Sequence, residues 1–333
     1  MPHDRYDVYA AGNALVDIQA QVDPEFLQRH ALAKGVMTLV EPGRQRELLS
    51  HLDPSALHTS AGGSACNTVV GLAGFGGRGY YAGKIGQDAY GRFFQEELSG
   101  LGIRSDLAPS ASPTGTCLVL ITPDADRTML TCLSASVELS AADVRPELIA
   151  QSLYVYVEGY LWDTAGPRAA CLRAISEAHR AGVKVAFSFS DPFCVSRAQA
   201  DFERLAREEV DLIFCNRDEA CMITGETDGA NAGRRIASWG PDVYVTLGAA
   251  GACFASKDRC VSIAAFPAVA KDTNGAGDLF AGGALFGLCR GYSPEDAGRL
   301  GSYAASQVVQ QVGARLPADV LSRALRVLEE QAR

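Results

Sequence analysis

Much that would give a quick reading is missing from this 333-residue sequence. Basic charge is not in excess: 30 Lys and Arg stand against 39 Asp and Glu, a formal net charge of −9, which argues against a protein that grips nucleic acid through its phosphates. An anionic ligand stays open, because a cluster of backbone N–H groups binds phosphate even on an acidic protein. No apolar run is long enough to span a bilayer, and the opening residues MPHDRYDVYAAGNALVDIQ lack the basic-then-apolar layout of a signal sequence. A cytoplasmic protein with no membrane partner is expected. The ten cysteines include no CxxC pair, Cys215 and Cys221 being too far apart, and most, such as Cys117, Cys132, Cys171 and Cys253, sit in apolar segments. They read as buried free thiols, not as a disulfide or metal framework. The five histidines (His3, His30, His51, His58, His179) show no ligand-like spacing, which argues against a histidine-built metal site or nucleophile. There is also no GxxxxGKS/T phosphate loop, no internal repeat and no low-complexity segment.

What is present looks like a soluble globular chain, with 47% hydrophobic and 21% charged residues. From about residue 60 onward, short β-rich runs alternate with helical patterns: YYAGKI (80–85), SLYVYVEG (152–159), VKVAFSFS (183–190), VDLIFCN (210–216) and DVYVTLG (242–248) each lead into a helix or turn. GACFASK and DRCVSIAAF then read as a hairpin, and helices are expected at 275–290, 294–310 and 317–331. Unbroken apolar strands alternating with helices predict a mostly parallel sheet covered on both faces, a three-layer α/β sandwich. Residues 13–23 and 116–137 break the pattern, alternating apolar and polar as strands with one exposed face do. They predict a small β lid, formed by approximately 13–45 and 110–137, inserted in a single domain spanning 1–333.

The strongest chemical signal is the turn Asp272-Thr-Asn-Gly-Ala-Gly-Asp278 before LFAGGALFGLCR. Thr273 and Asn274 are good N-cap residues, Gly275 and Gly277 let the backbone turn tightly, and the small residues 281–284 suit a closely packed helix. Free N–H groups at such a helix start, over Gly275, Ala276, Gly277 and Asp278, would hold an anion. Asp278 would then lie one side-chain length from that anion, where a carboxylate is useful if it accepts a proton from an incoming hydroxyl. A purely structural helix start with a dipole-favoured Asp fits the same local residues. Gly74-Phe-Gly76-Gly-Arg-Gly79 matches a dinucleotide fingerprint by spacing, but a helical pattern precedes it and a strand follows, the reverse of what that motif needs.

With its helix, the 272–278 turn resembles the C-terminal signature of the ribokinase/PfkB family of carbohydrate and nucleoside kinases. A second signature is similar at 61–104, with Gly62, Gly63, Asn67 and Gly86-x-Asp88-x-x-Gly91. Asn216-Arg-Asp-Glu219 resembles the family's Asn-x-x-Glu motif, and Thr246-Leu-Gly248-Ala-Ala-Gly251 its nucleotide-binding turn. All four stand in the family's order across nearly the whole chain. Gly12-Asn13-Ala-Leu-Val-Asp17, Pro113-Thr-Gly-Thr-Cys117, Asn274 and Tyr303-Ala-Ala-Ser306 resemble adenosine kinases more than sugar kinases.

The resemblance implies a ribokinase-like fold and an ATP-dependent kinase acting on adenosine, with fructokinase or ribokinase chemistry as the alternative and a non-catalytic sensor as a remote one. It implies Asp278 as general base, Arg127 as a cation near the transferred phosphate, and Asn13, Asp17, Gly62, Gly63 and Asn67 as acceptor contacts. Leu15, Met37, Leu39, Leu130 and Cys132 would sandwich a flat base, unless they are simply lid core. Asn216 and Glu219 would position Mg²⁺ through water. Thr246, Gly248 and Gly251 would line the nucleotide cleft, with Ala305 and Val308 against the adenine. Asp272 and the backbone near Gln311–Gly313 would hold a monovalent cation such as K⁺. Relatives with lids imply a monomer or a homodimer.

Overall fold

The computed structural model describes residues 5–124, 126–311, 313–317 and 319–331. Its larger sheet is built from β1 (Tyr6–Ala11), β5 (Gly79–Gly86), β6 (Arg104–Ser110), β9 (Ser152–Glu158), β10 (Lys184–Ser188), β11 (Leu212–Asn216), β12 (Asp242–Thr246), β13 (Ala252–Ala255) and β14 (Cys260–Ile263). They run in the order β14-β13-β12-β11-β10-β9-β1-β5-β6. All neighbours are parallel except at one edge, where β13 and β14 form the expected hairpin beside β12. The smaller sheet joins β2 (Leu15–Gln21), β3 (Met37–Leu39), β4 (His58–Gly62), β7 (Gly115–Ile121) and β8 (Arg127–Cys132) in the order β3-β8-β7-β2-β4.

Alternating residues of the central large-sheet strands feed two separate cores, as buried parallel strands require. Val8, Ala10, Tyr156, Phe214 and Tyr244 pack against α3 (Ser64–Gly74), α10 (Ala276–Cys289) and α11 (Pro294–Val308). Tyr9, Ala11, Val155, Phe187 and Ile213 face α6 (Ala165–Ala181), α7 (Pro192–Glu208), α8 (Arg217–Thr224) and α9 (Gly229–Ala237). Short α5 (Pro146–Ile149) joins the second layer, and α12 (Val320–Gln331) joins the first. The GxGxxG look-alike closes α3: Gly76 takes a positive φ of 82° and Gly79 opens β5.

Four strands, β1, β3, β4 and β6, were not anticipated. β4 reads HTSAG and β6 reads RSDLAPS, without the β-branched or aromatic run that marks a strand, and β6 carries a proline that only an edge strand tolerates. β4 also lies outside the two segments expected to form the lid. Nor does the smaller sheet leave a face exposed along β2, which is buried from Leu15 to Ala20. Val16, Ile18 and Ala20 are covered by Phe26 and Leu27 of α1 (Pro24–Arg29) and Leu48 of α2 (Pro42–Leu49), while Phe94 and Leu98 of α4 (Ala89–Gly100) join the same core. Leu15 and Asp17, on the other face, line a cleft between the sheets.

The position of that cleft depends on how closely α10 approaches its neighbours. A Cβ built on Gly282 would lie 2.5 Å from the Thr68 carbonyl oxygen and 2.8 Å from the Leu72 nitrogen, so α10 and α3 touch backbone to backbone. Gly282→Ala therefore has to push two helices apart. It should destabilise the fold by about 1–3 kcal/mol, the usual range for overpacking, seen as a lowered thermal midpoint; an unchanged midpoint would mean the two helices are not closely apposed.

Candidate active site

The N-termini of α3 and α10 meet at the floor of the cleft. α10 is not capped by Thr273 or Asn274 as expected. Its N-cap is Gly275 at φ 71°, with no side-chain cap, and a Cβ there would come within 2.8 Å of the Ala314 Cβ. Asp272 shapes the turn instead: its Oδ1 accepts the Asn274 N–H (2.8 Å) and its Oδ2 the Gly313 N–H (3.0 Å). Among the described residues the N–H groups of Gly277 and Asp278 have no acceptor, and a Cβ on Gly277 would meet nothing within 4 Å. Unpaired donors at a helix start, facing open space, are able to receive an anion.

Asp278 stands in the first turn of α10, where α3 holds it. The Ser64 hydroxyl donates to Oδ1 at 2.6 Å and the Asn67 amide to Oδ2 at 3.1 Å. Burial pushes the Asp278 carboxyl up to about 6, against the pull of these two hydrogen bonds. The other amide atom of Asn67, its buried Oδ1, has no partner among the described residues, leaving an acceptor free beside Asp278 for a hydroxyl. Two glycines bring β4 and α3 onto the β1–β2 turn: a Cβ on Gly62 would strike the Asp17 carboxyl at 2.4 Å, and one on Gly63 (φ 96°) the Asn13 carbonyl at 2.1 Å. Asn13, Asp17, Gly63, Ser64, Asn67 and Asp278 thus border one cleft of about 510 Å³. Burial raises Asp17 to about 7, with Arg315 and Arg127 opposing it.

Two residues of this cluster escaped the sequence reading. Ser64 sat unremarked within a glycine turn, though a hydroxyl in the first turn of a helix points where that helix's anion site lies. Glu158 ends β9 fully buried, its Oε1 accepting the Asn13 N–H (2.8 Å) and its Oε2 the Ala65 N–H (2.6 Å). It fastens the β1–β2 turn to the start of α3, and burial raises it to about 7. An acid closing the apolar run SLYVYV was the available signal.

On the far side of the cleft, Asn216 and Glu219 cap α8 reciprocally. The Asn216 Oδ1 accepts the Glu219 N–H (2.9 Å), while the Asn216 N–H and Nδ2 donate to the Glu219 carboxylate at 3.0 and 2.6 Å. Burial lifts Glu219 to about 8. Thr246 borders the cleft beside them; Gly248, Gly251, Ala305 and Val308 do not, and Val308 is fully buried in the core. Gly251 (φ 92°) is needed by its turn, where a Cβ would meet the Ile263 carbonyl at 2.1 Å.

The smaller sheet turns the apolar side chains of Leu15, Met37, Leu39, Cys117 and Met129 toward the cleft, beside the polar Asp17, Arg127 and Thr131. Leu130 and Cys132 turn to the opposite face, because side chains alternate along β8 and it is Arg127, Met129 and Thr131 that point inward. Arg127 is no surface hairpin residue: it is 8% exposed and ion-paired with Asp272. Both Asp272 oxygens are thereby engaged and its charge is matched by a guanidinium, so the site does not fit the expected monovalent cation. Of the backbone expected to share that role, residue 312 lies outside the described residues.

A mostly parallel sheet and a smaller sheet, with a carboxylate at a helix N-terminus in the cleft between them, define a ribokinase-like phosphotransferase that uses an alcohol group as acceptor. The model of the pfkB family of carbohydrate kinases matches residues 38–321, and the chain belongs to that family. Among solved structures it is similar to a probable sugar kinase from Rhizobium etli CFN 42 (35% identity, TM-score 0.92, 97% of this chain and 99% of that one). It is equally similar to the adenosine kinase from Sinorhizobium meliloti (36% identity, TM-score 0.91, 97% and 99%). Adenosine kinase 1 from Arabidopsis thaliana is 26% identical over 330 residues, covering 92% of this chain and 94% of its own.

Ser64→Ala removes a hydrogen bond that holds the Asp278 carboxyl down, so its pKa should climb above about 6. If Asp278 acts in its ionised form, the acidic limb of the kcat/KM profile should move to higher pH. An unmoved limb in the variant would separate Ser64 from the ionisation of Asp278.

Proposed function

We propose that this chain transfers the γ-phosphoryl group of ATP to the 5′-hydroxyl of adenosine, with Asp278 as general base. The observation that carries this reading is the setting of Asp278: an unpaired Asn67 oxygen on one side, and the free N–H groups of Gly277 and Asp278 on the other. A hydroxyl of the acceptor donates its proton to Asp278 as its oxygen attacks phosphorus and the bond to ADP breaks, while the Asn67 oxygen can accept from a second hydroxyl of the same sugar. The N–H groups and the nearby Arg127 take up the charge that develops on the phosphoryl oxygens. Asp17 is the group suited to a pair of vicinal ribose hydroxyls, since one carboxylate accepts two hydrogen bonds at once.

Asp17, Glu158, Glu219 and Asp278 border the same cleft, and a polyphosphate entering it meets like charge. Mg²⁺ bound with ATP neutralises that charge. Asn216 and Glu219 would hold it through water: their capping bonds leave lone pairs on the carboxylate, whereas direct ligation would pull the α8 cap apart. Gly248, Gly251 and Ala305 belong to the same proposed nucleotide side as Thr246. The fully buried Val308 would support that side from behind.

Adenosine is favoured as acceptor by the apolar side chains of Leu15, Met37, Leu39, Cys117 and Met129, which suit a flat base better than a free hexose. The equal likeness to a probable sugar kinase supports a second reading, a sugar kinase of the same family. We propose a cytoplasmic enzyme; among the described residues no helix is long and apolar enough to cross a membrane.

An ADP-release panel with adenosine, other nucleosides, ribose and fructose separates the readings. Adenosine should turn over fastest. Strong turnover of a free sugar with none of any nucleoside would replace the first reading by the second.

A further inference from the structure

The outer side of the smaller sheet carries a side-chain cluster that the kinase reaction does not use. His30, Glu47 and His51 come from two helices, and one donor atom of each lies within 4.8 Å of the others. In sequence the two histidines stand 21 positions apart, which hid the pairing. The fold brings them together because the end of α1 meets α2, where the Arg44 Nη2 donates to the His30 carbonyl at 2.6 Å, and Phe26, Leu27 and Leu48 share one core.

We propose that His30, Glu47 and His51 form a site for a divalent transition metal, zinc by its donor set, which ties the end of α1 to the end of α2. Glu47 lies in the last turn of α2 and His51 four residues on, where the backbone still turns helically: the His51 N–H bonds the Leu48 carbonyl at 3.1 Å. Residues four apart on a turning backbone share a face and chelate together. His30 follows α1 directly, anchored by its N–H to the Phe26 carbonyl (3.1 Å), and its ring lies between those of Phe26 and His51 at centroid distances of 4.5 and 4.8 Å. Among the described residues neither imidazole ring has a hydrogen-bond partner, so a ring nitrogen of each is free to ligate.

Two imidazoles and one carboxylate are a zinc donor set; magnesium and calcium prefer oxygen alone. Tetrahedral ligation would draw the three donor atoms to roughly 3.4 Å apart, within reach of side-chain rotation at this half-exposed surface, with water as fourth ligand. Arg44 sets the main opposing charge. Its Nη1 holds the Glu47 Oε1 at 2.7 Å and its Nη2 the His30 carbonyl at 2.6 Å, which leaves Oε2 for the metal. The ion would cross-link α1 and α2, the layer that covers β2, and so stiffen the smaller sheet.

The test uses untagged protein stripped with EDTA and titrated with ZnCl₂ calorimetrically in the absence of nucleotide. The wild type should bind one equivalent, and zinc should raise its thermal midpoint. His30→Ala and His51→Ala, folded by circular dichroism, should each weaken binding by at least about tenfold and lose the thermal shift. Absence of stoichiometric binding in the wild type would overturn the proposal. So would binding of equal strength in both variants, which would place the zinc on cysteine thiols or in the cleft.

Discussion

The hydrogen bonds from Ser64 and Asn67 to Asp278 join residues 214 and 211 positions apart, and the cleft is organised around them. They exist because α10 has almost no side chain where it crosses α3: at Gly282 the helices touch through their backbones, and their N-termini arrive side by side. Each hydrogen bond to a charged group contributes about 1.5–3 kcal/mol, enough to orient a carboxylate and temper its pKa without cancelling the effect of burial. What results is a carboxyl group fixed in place, its pKa raised to about 6, next to helix N–H groups that have no acceptor among the described residues. Glu158 extends the same construction one step, fastening the β1–β2 turn that carries Asn13 to the start of α3.

This arrangement concentrates negative charge where a polyphosphate would enter. Asp17, Glu158, Glu219 and Asp278 are all raised by burial, to between about 6 and about 8, so the folded chain holds their protons more tightly than the unfolded chain does. By linkage, these four groups make the fold lose stability as pH rises from the ordinary carboxylate range through those values. The charge of Asp272 is matched by Arg127 and two backbone N–H groups.

The sequence made the α/β alternation legible, along with the Asp278 turn, the Asn67 helix and the Asn216–Glu219 pair, because each rests on local pattern: period, glycine placement, or a polar pair at helix spacing. What escaped it depended on distance or parity. Leu130 and Cys132 face away from the cleft and Met129 and Thr131 face into it, a one-residue parity that local composition does not reveal. β4 was missed because HTSAG becomes a strand only by pairing with β2. The N-cap fell to Gly275 rather than Thr273 or Asn274 because the Asp272 carboxylate, anchored to Gly313, dictates the turn. Glu158 and the His30–His51 contact each join distant segments, and neither leaves a spacing to read.

If Asp278 is the group that takes the acceptor's proton, Asp278→Asn is the decisive variant, since it preserves size and one acceptor oxygen while removing the base. Its affinity for ATP, measured calorimetrically, and its turnover of the acceptor best used by the wild type are read on the same preparation. ATP affinity should be retained and turnover should fall by at least about a hundredfold. Near-normal turnover with intact ATP binding would contradict the role assigned to Asp278.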